Sequence, residues 1–304
     1  MQSVNSEQQK WLDLLGQPSD YNYEKQSLLI RSFQTPEYSA EIYEQANGPG
    51  TTQQVLLLIP ADGQVKHPAV VVPFYYPDKT VGLDLETLEP LADQGAALAL
   101  FLVLRGYVVI TAESFHLTYT EQDRSRDDFT RWAVAADALL HDHLNWTGMG
   151  KLVADTKLLI DLLEEDPRVD ATRIGIAGHS LGGKIAMYTD CLDQRIQAML
   201  CSDFGLKWEA SNWDERWYWG EKLESIKAAD LDHSHLLAAG GLKPITLLAG
   251  LYDDASALTL LEKAGYKPGT DCLFINHASG HRPPRDVLDQ GFEFLDKFLN
   301  PRNS

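Results

Sequence analysis

Six short apolar runs divide the chain into strand-sized pieces, and the stretches between them restrict how it can fold. The runs are "AVVVPFYYP" from Ala69, "GYVVITAES" from Gly106, "RIGIAG" from Arg173, "IQAMLCSDF" from Ile196, "PITLLAG" from Pro244 and "CLFIN" from Cys272. They are continuous rather than alternating, the pattern of strands buried on both faces. Helical periodicity fills the gaps over Leu85–Leu104, Phe129–Leu163, Leu181–Cys191, Ser256–Lys263 and Arg285–Leu299. Strands that alternate with helices build right-handed βαβ units and a mainly parallel sheet covered on both faces. Upstream, Gln8–Leu15 reads as a short helix. Gln26–Phe33, Ser39–Gln45 and Gln53–Pro60 read as strands with partial alternation, as in antiparallel pairs.

Such a sheet places its functional groups at the carboxyl ends of its strands. One of those ends stands out. "RIGIAG" runs straight into His179-Ser180-Leu181-Gly182-Gly183 and then into a helical pattern. Gly178-His179-Ser180-Leu181-Gly182 fits the G-x-S-x-G nucleophile elbow. A serine in a sharp strand-to-helix turn needs flanking residues without Cβ. The same turn puts the backbone N–H of Leu181 at a helix N-terminus, where it can stabilise an oxyanion.

A nucleophilic serine needs a base, and the base needs an orienting acid. In this type of sheet both follow the serine in the chain, acid first. "LLAGLYDD" supplies Asp253 and Asp254 after one strand, and "NHASGHRPP" supplies His277 and His281 after the last. The expected set is Ser180, Asp253 and His281. Asp254 doubles as an N-cap for the helix that follows, and His277 as a strand-end residue.

These pieces together resemble the α/β-hydrolases, nearest the dienelactone hydrolase and acetyl xylan esterase-like branch. "DPRVDATRIGIAGHSLGGKIAM" (Asp166–Met187), "HPAVVVPFYYPD", "GYVVITAES", "LLAGLYDD" and "NHASGHRPP" carry the resemblance, in the family's order, over roughly residues 53–299. It implies an α/β-hydrolase fold: a mainly parallel central sheet, helices on both faces and a small cap-like insertion. One domain would span 1–304, with an N-terminal extension over 1–45 and the insertion at about 205–242. Two departures bear on chemistry. Dienelactone hydrolases proper use cysteine where this chain has Ser180, which points to ordinary ester chemistry. The family's glycine-rich oxyanion loop is replaced by Pro73-Phe74-Tyr75-Tyr76-Pro77, so the second oxyanion donor falls to the backbone N–H of Tyr75 or Tyr76.

Substrate contacts are expected from Phe74, His179 and the tryptophan-rich stretch "WEASNWDERWYW". Within it Trp208, Trp213 and Trp217 can form an aromatic cap or can anchor a packed helix. His141-Asp142-His143 and His233-Ser234-His235 lack metal-ligand spacing and read as surface or capping residues. "QDRSRDD" (Gln122–Asp128) reads as a mixed-charge loop.

With 26 Lys and Arg against 44 Asp and Glu, the net charge of −18 opposes nucleic acid, anionic membranes and polyanionic substrates. The N-terminus lacks a signal pattern, and the three cysteines form no CxxC pair. The sequence therefore predicts a cytoplasmic serine esterase, monomeric or homodimeric, acting on a small-molecule ester without metal or organic cofactor. A peptidase, amidase or thioesterase on the same fold is the alternative, and a non-catalytic binding protein is a third reading.

Overall fold

The computed structural model describes residues 4–18, 21–92, 97–119 and 127–300. In chain order the elements are α1 (Ser6–Leu15), β1 (Ser27–Gln34), β2 (Tyr38–Gly48), β3 (Thr51–Pro60), β4 (His67–Val71), α2 (Pro77–Val81), α3 (Leu98–Val103), β5 (Val108–Ala112), α4 (Phe115–Thr118), α5 (Asp128–Asp142) and α6 (Gly148–Glu165). They continue with β6 (Val169–His179), α7 (Leu181–Leu192), β7 (Ile196–Ser202), α8 (Lys222–Ala228), α9 (His233–Ala239), β8 (Ile245–Ala249), α10 (Ala255–Ala264), β9 (Cys272–Asn276) and α11 (Arg285–Leu299).

The strands form one nine-stranded sheet in the order β1-β2-β3-β5-β4-β6-β7-β8-β9. β1, β2, β3 and β5 pair antiparallel in succession, and β4 to β9 join in parallel. Five of the six continuous apolar runs are interior strands, and the sixth, "CLFIN", is the edge strand β9. β4, β5 and β8 are buried at every position, because helices cover both faces. Residues 27–48, at the start of the chain, form β1 and β2 of this same sheet.

Two buried layers flank the sheet. One joins α1, α5, α6, α7 and the aromatic residues of 204–219. The other joins α3 and α11. α11 shows how the apolar stripe works: Val287, Leu288, Phe292 and Leu295 recur at helical spacing and are all buried against the sheet. Each such side chain contributes about 1.5–3 kcal/mol of transfer free energy. α7 is buried along its whole length, its charged residues Lys184 and Asp190 included.

Two helical readings change. The long pattern Leu85–Leu104 yields only the short α3, with residues 93–96 outside the described set. Upstream of it the chain turns instead of coiling. Pro77 opens α2, Gly82 ends it with φ of 73°, and the Asp84 carboxylate takes the N–H groups of Glu86 and Thr87. A side chain that bonds its own backbone competes with the helix. The Phe129–Leu163 pattern splits into α5 and α6, since Thr147 caps a new helix by accepting the Gly150 N–H. Of the loop Gln122–Asp128, residues 122–126 lie outside the described residues. Asp127 is the N-cap of α5.

Candidate active site

The chain from β6 to α7 turns on a single residue. Ser180 has φ of 57° and ψ of −119°, a conformation that costs a non-glycine residue energy. Its neighbours over-determine it. The Ser180 N–H donates to the Ser202 carbonyl of β7 at 2.9 Å, and its own carbonyl accepts from Lys184 N–H at 3.2 Å. A Cβ on Gly178 would meet the carbonyl carbon and oxygen of Gly182 at 2.1 Å, and one on Gly182 would meet the Pro73 carbonyl oxygen at 2.2 Å. Glycine is required at both positions, and the second contact brings the Pro73–Tyr76 segment against the first turn of α7. Leu181 opens that turn, so its N–H belongs to the set that no residue within the helix can accept.

His281 follows Gly280, whose φ of 103° turns the chain after β9 back toward the elbow. The His281 ring lies 4.4 Å from that of His179, the residue just before the serine. Its acid partner is not Asp253. His281 Nδ1 lies 2.7 Å from Oδ2 of Asp203, at the end of β7. A carboxylate only accepts, so Nδ1 carries the proton and Nε2 is left as the basic nitrogen.

Asp203 is fully buried and is fixed by the next strand's loop. Oδ1 accepts the N–H groups of Gly250, Tyr252 and Asp253, and Oδ2 accepts that of Leu251. Burial by itself would raise its pKa, but the His281 bond and these N–H groups outweigh burial and hold it below the usual carboxylate value. Asp253 faces the opposite way. Its carboxylate is buried and accepts the N–H groups of Phe204 and Gly205 on Oδ2 and of Leu206 on Oδ1. Burial, with the nearby Asp203 charge, raises its pKa despite those bonds. Each aspartate thus binds the other's loop. Asp254 is the N-cap of α10, accepting from Ser256 N–H. His277 bonds Ser279 Oγ at 2.7 Å and packs beneath Gly250.

Asp203 sits in "CSDF", at the carboxyl end of a strand that lies between the elbow and the histidine. It met the same positional rule that favoured Asp253. Chain position alone does not separate it from the pair of acids after the later strand.

The segment before α2 is placed by aromatic packing. Tyr75 stacks on Trp132 with ring centroids 3.7 Å apart, and its hydroxyl lies 3.5 Å from that of Tyr218. Tyr76 precedes α2 and donates from its hydroxyl to Asp128 at 3.1 Å. The Tyr75 side chain is buried and that of Tyr76 half-buried, and the Tyr75 carbonyl accepts the Ser114 N–H at 3.3 Å. Phe74 is half-buried beside Gly182. His179 is buried, bonds Ser202 Oγ at 3.1 Å and has its pKa pushed down to about 3 by burial and by His281. It is neutral near pH 7.

Of the tryptophans expected near substrate, Trp208, Trp213 and Trp217 are all buried in the core. The indole N–H of Trp208 donates to the Leu231 carbonyl and that of Trp213 to the Gly205 carbonyl. The backbone of Trp217 presses on Gly148. The stretch anchors the chain between β7 and β8, the packing alternative of the two.

Lys184 lies one turn after Ser180 and only 2% exposed. Its ammonium sits 4.3 Å and 4.1 Å from the ring centroids of Trp213 and Tyr218 and donates to Asn212 Oδ1 at 2.9 Å. Burial lowers its pKa to about 7, with Asp253 the largest opposing influence. Between about pH 7 and the ordinary lysine range the folded state therefore holds fewer protons than the unfolded chain, and stability rises with pH. Lys184→Met is expected to flatten that rise. The check is the difference in urea midpoint between variant and parent at about pH 6 and about pH 9; an unchanged difference contradicts it.

The two histidine pairs diverge in role. His141 bonds Asp142 and His143 stacks on Trp146, while His233 is buried between Tyr188 and the Leu206 carbonyl and His235 completes a capping box with Asp232. Among the described residues no group of three or more His, Cys, Asp or Glu is arranged to hold a metal ion. The three cysteines are free and buried. Among the described residues no helix is long and apolar enough to cross a membrane.

Residues 8–211 match the profile of the Abhydrolase family. YtaP of Bacillus subtilis (strain 168), a protein named as a hydrolase, is 27% identical over 182 residues, spanning 55% of this chain and 58% of its own length. Among solved structures, a protein of Bacteroides fragilis NCTC 9343 named as an acetyl xylan esterase superposes with a TM-score of 0.70 at 18% identity, covering 91% of this chain and 76% of that one. A glucuronoyl esterase from Teredinibacter turnerae T7901 gives 0.64 at 15% identity over 95% and 83%. Acetyl xylan esterase 1 from Thermoanaerobacterium sp. JW/SL YS485 gives 0.58 at 15% identity over 98% and 95%. At these identities the likeness is one of fold.

Proposed function

The chain belongs to the Abhydrolase family, and from that premise we propose that it hydrolyses carboxylic esters through an acyl-enzyme on Ser180. The observation that carries this reading is the 2.7 Å bond between His281 and the buried Asp203, set beside a serine in a strained turn. His281 Nε2 takes the proton as Ser180 Oγ attacks the ester carbonyl. The Leu181 N–H and a backbone N–H of the Tyr75–Tyr76 segment hold the tetrahedral oxyanion, each worth about 10²–10³-fold in rate. His281 then returns the proton to the leaving alcohol. Water, deprotonated by the same nitrogen, releases the acid and restores Ser180. Asp203 keeps the imidazole in the working tautomer and stabilises the imidazolium. The solved structures of similar fold that are named as esterases support ester chemistry, and the net charge of −18 favours neutral substrates over polyanions.

A fluorophosphonate probe tests the reading, since it phosphonylates only an activated serine. One equivalent is expected on Ser180 and none in Ser180→Ala. In His281→Ala the labelling rate is expected to fall about 10²–10⁴-fold. Full esterase turnover in Ser180→Ala would refute the mechanism.

A further inference from the structure

With the tryptophans packed away, the large apolar side chains exposed beside His281 are those that follow β8. Tyr252 is 42% exposed and Leu251 62% exposed. The Tyr252 ring stands edge-on to the His281 ring, 4.9 Å between centroids. Both residues are held from the backbone: Leu251 N–H on Asp203 Oδ2 and Tyr252 N–H on Asp203 Oδ1, at 3.0 and 2.8 Å. The backbone that carries the ring is therefore held relative to His281 by the carboxylate that orients the histidine. An aromatic side chain with two rotatable bonds on a held backbone loses little entropy on receiving a partner.

The side of the site on which it stands follows from the chemistry. In acylation the C–O bond to the alcohol breaks, and the departing oxygen takes its proton from His281 Nε2. The alcohol must therefore leave past His281, whereas the acyl group stays bonded to Ser180. Resting on the ester-hydrolase reading above, we propose that Tyr252, with Leu251 at its edge, is the platform for the alcohol portion of the substrate. It suits alcohols that present a ring with an apolar face, aromatic or pyranose.

The test uses the fact that the alcohol is gone once the acyl-enzyme has formed. Phenyl acetate and trifluoroethyl acetate pass through the same acetyl-Ser180 and differ only in the group Tyr252 would touch. In Tyr252→Ala the ratio of kcat/KM for phenyl over trifluoroethyl acetate is expected to fall about tenfold. The rate constant for deacylation, read from single-turnover decay of the acetyl-enzyme, is expected to stay the same. Tyr252→Phe should keep the ratio, since the ring and not the hydroxyl makes the platform. Equal losses on the two esters, or a changed deacylation rate, would overturn the assignment. Loss of all turnover in Ser180→Ala, run alongside, separates failure of this proposal from failure of the esterase reading itself.

Discussion

Asp203→Asn is expected to lower kcat by about 10³–10⁴-fold while leaving the fold in place. The reason lies in which oxygen does what. Oδ1 accepts three backbone N–H groups, from Gly250, Tyr252 and Asp253, so the amide oxygen of asparagine will take that side. The amide NH₂ then falls where Oδ2 met His281 Nδ1 and the Leu251 N–H, and the stranded Leu251 donor costs about 1–3 kcal/mol of stability as well. Two donors cannot face each other, and the imidazole is driven to the tautomer with its proton on Nε2, which cannot act as a base. Asp253→Asn makes the contrast. Its amide would face the Leu206 N–H and leave buried donors unpaired, costing about 1–3 kcal/mol of stability but not the tautomer. Turnover of p-nitrophenyl acetate, paired with urea unfolding, separates the two. If Asp253→Asn matched Asp203→Asn in lost turnover at unchanged stability, the acid would be Asp253 after all.

Gly178→Ala is the second large effect. The added methyl would sit 2.1 Å from the carbonyl carbon and oxygen of Gly182 and 2.6 Å from the Gly183 nitrogen. All three are backbone atoms, in a helix buried along its length, so nothing flexible can give way. Relief requires α7 to move off β6, and the Ser180 turn moves with it. A loss of about 3 kcal/mol is expected, at the upper end of overpacking costs, together with loss of fluorophosphonate labelling. Thermal unfolding and the labelling assay check both; a variant of normal stability that labels at the normal rate would show the turn to be more plastic than its packing implies.

The sheet was legible because its strands differ from everything around them. Val70, Val71, Val108, Val109 and Ile110 form continuous β-branched runs that only a doubly covered sheet accommodates, and β4 and β5 are wholly buried. The elbow was legible because its glycines are a steric necessity at the spacing seen. The acid was not, because position after a strand does not reveal which way a carboxylate turns. Asp203 and Asp253 both stand at strand ends, and their roles differ only through the N–H groups each one meets. The Trp208–Trp219 stretch was open for a related reason. Aromatic density marks a place where much surface is buried, and whether a ligand or the protein itself does the burying depends on contacts distant in sequence, such as that of Trp208 with Leu231 and of Tyr218 with Lys184. Short helices such as α2 and α8 are five and seven residues long, below the length at which periodicity speaks.

The crossed bonds between Asp203 and Asp253 also limit how such a site can be remodelled. The loops after β7 and β8 are some fifty residues apart in the chain, yet neither has a complete hydrogen-bond inventory without the other's carboxylate. They form one structural module. Grafting a foreign β8 loop would remove the Asp253 carboxylate from the loop after β7 and shift the four backbone donors that hold Asp203 beside His281. A transplant that carries both loops together keeps acid, histidine and platform in register, and a transplant of one alone does not.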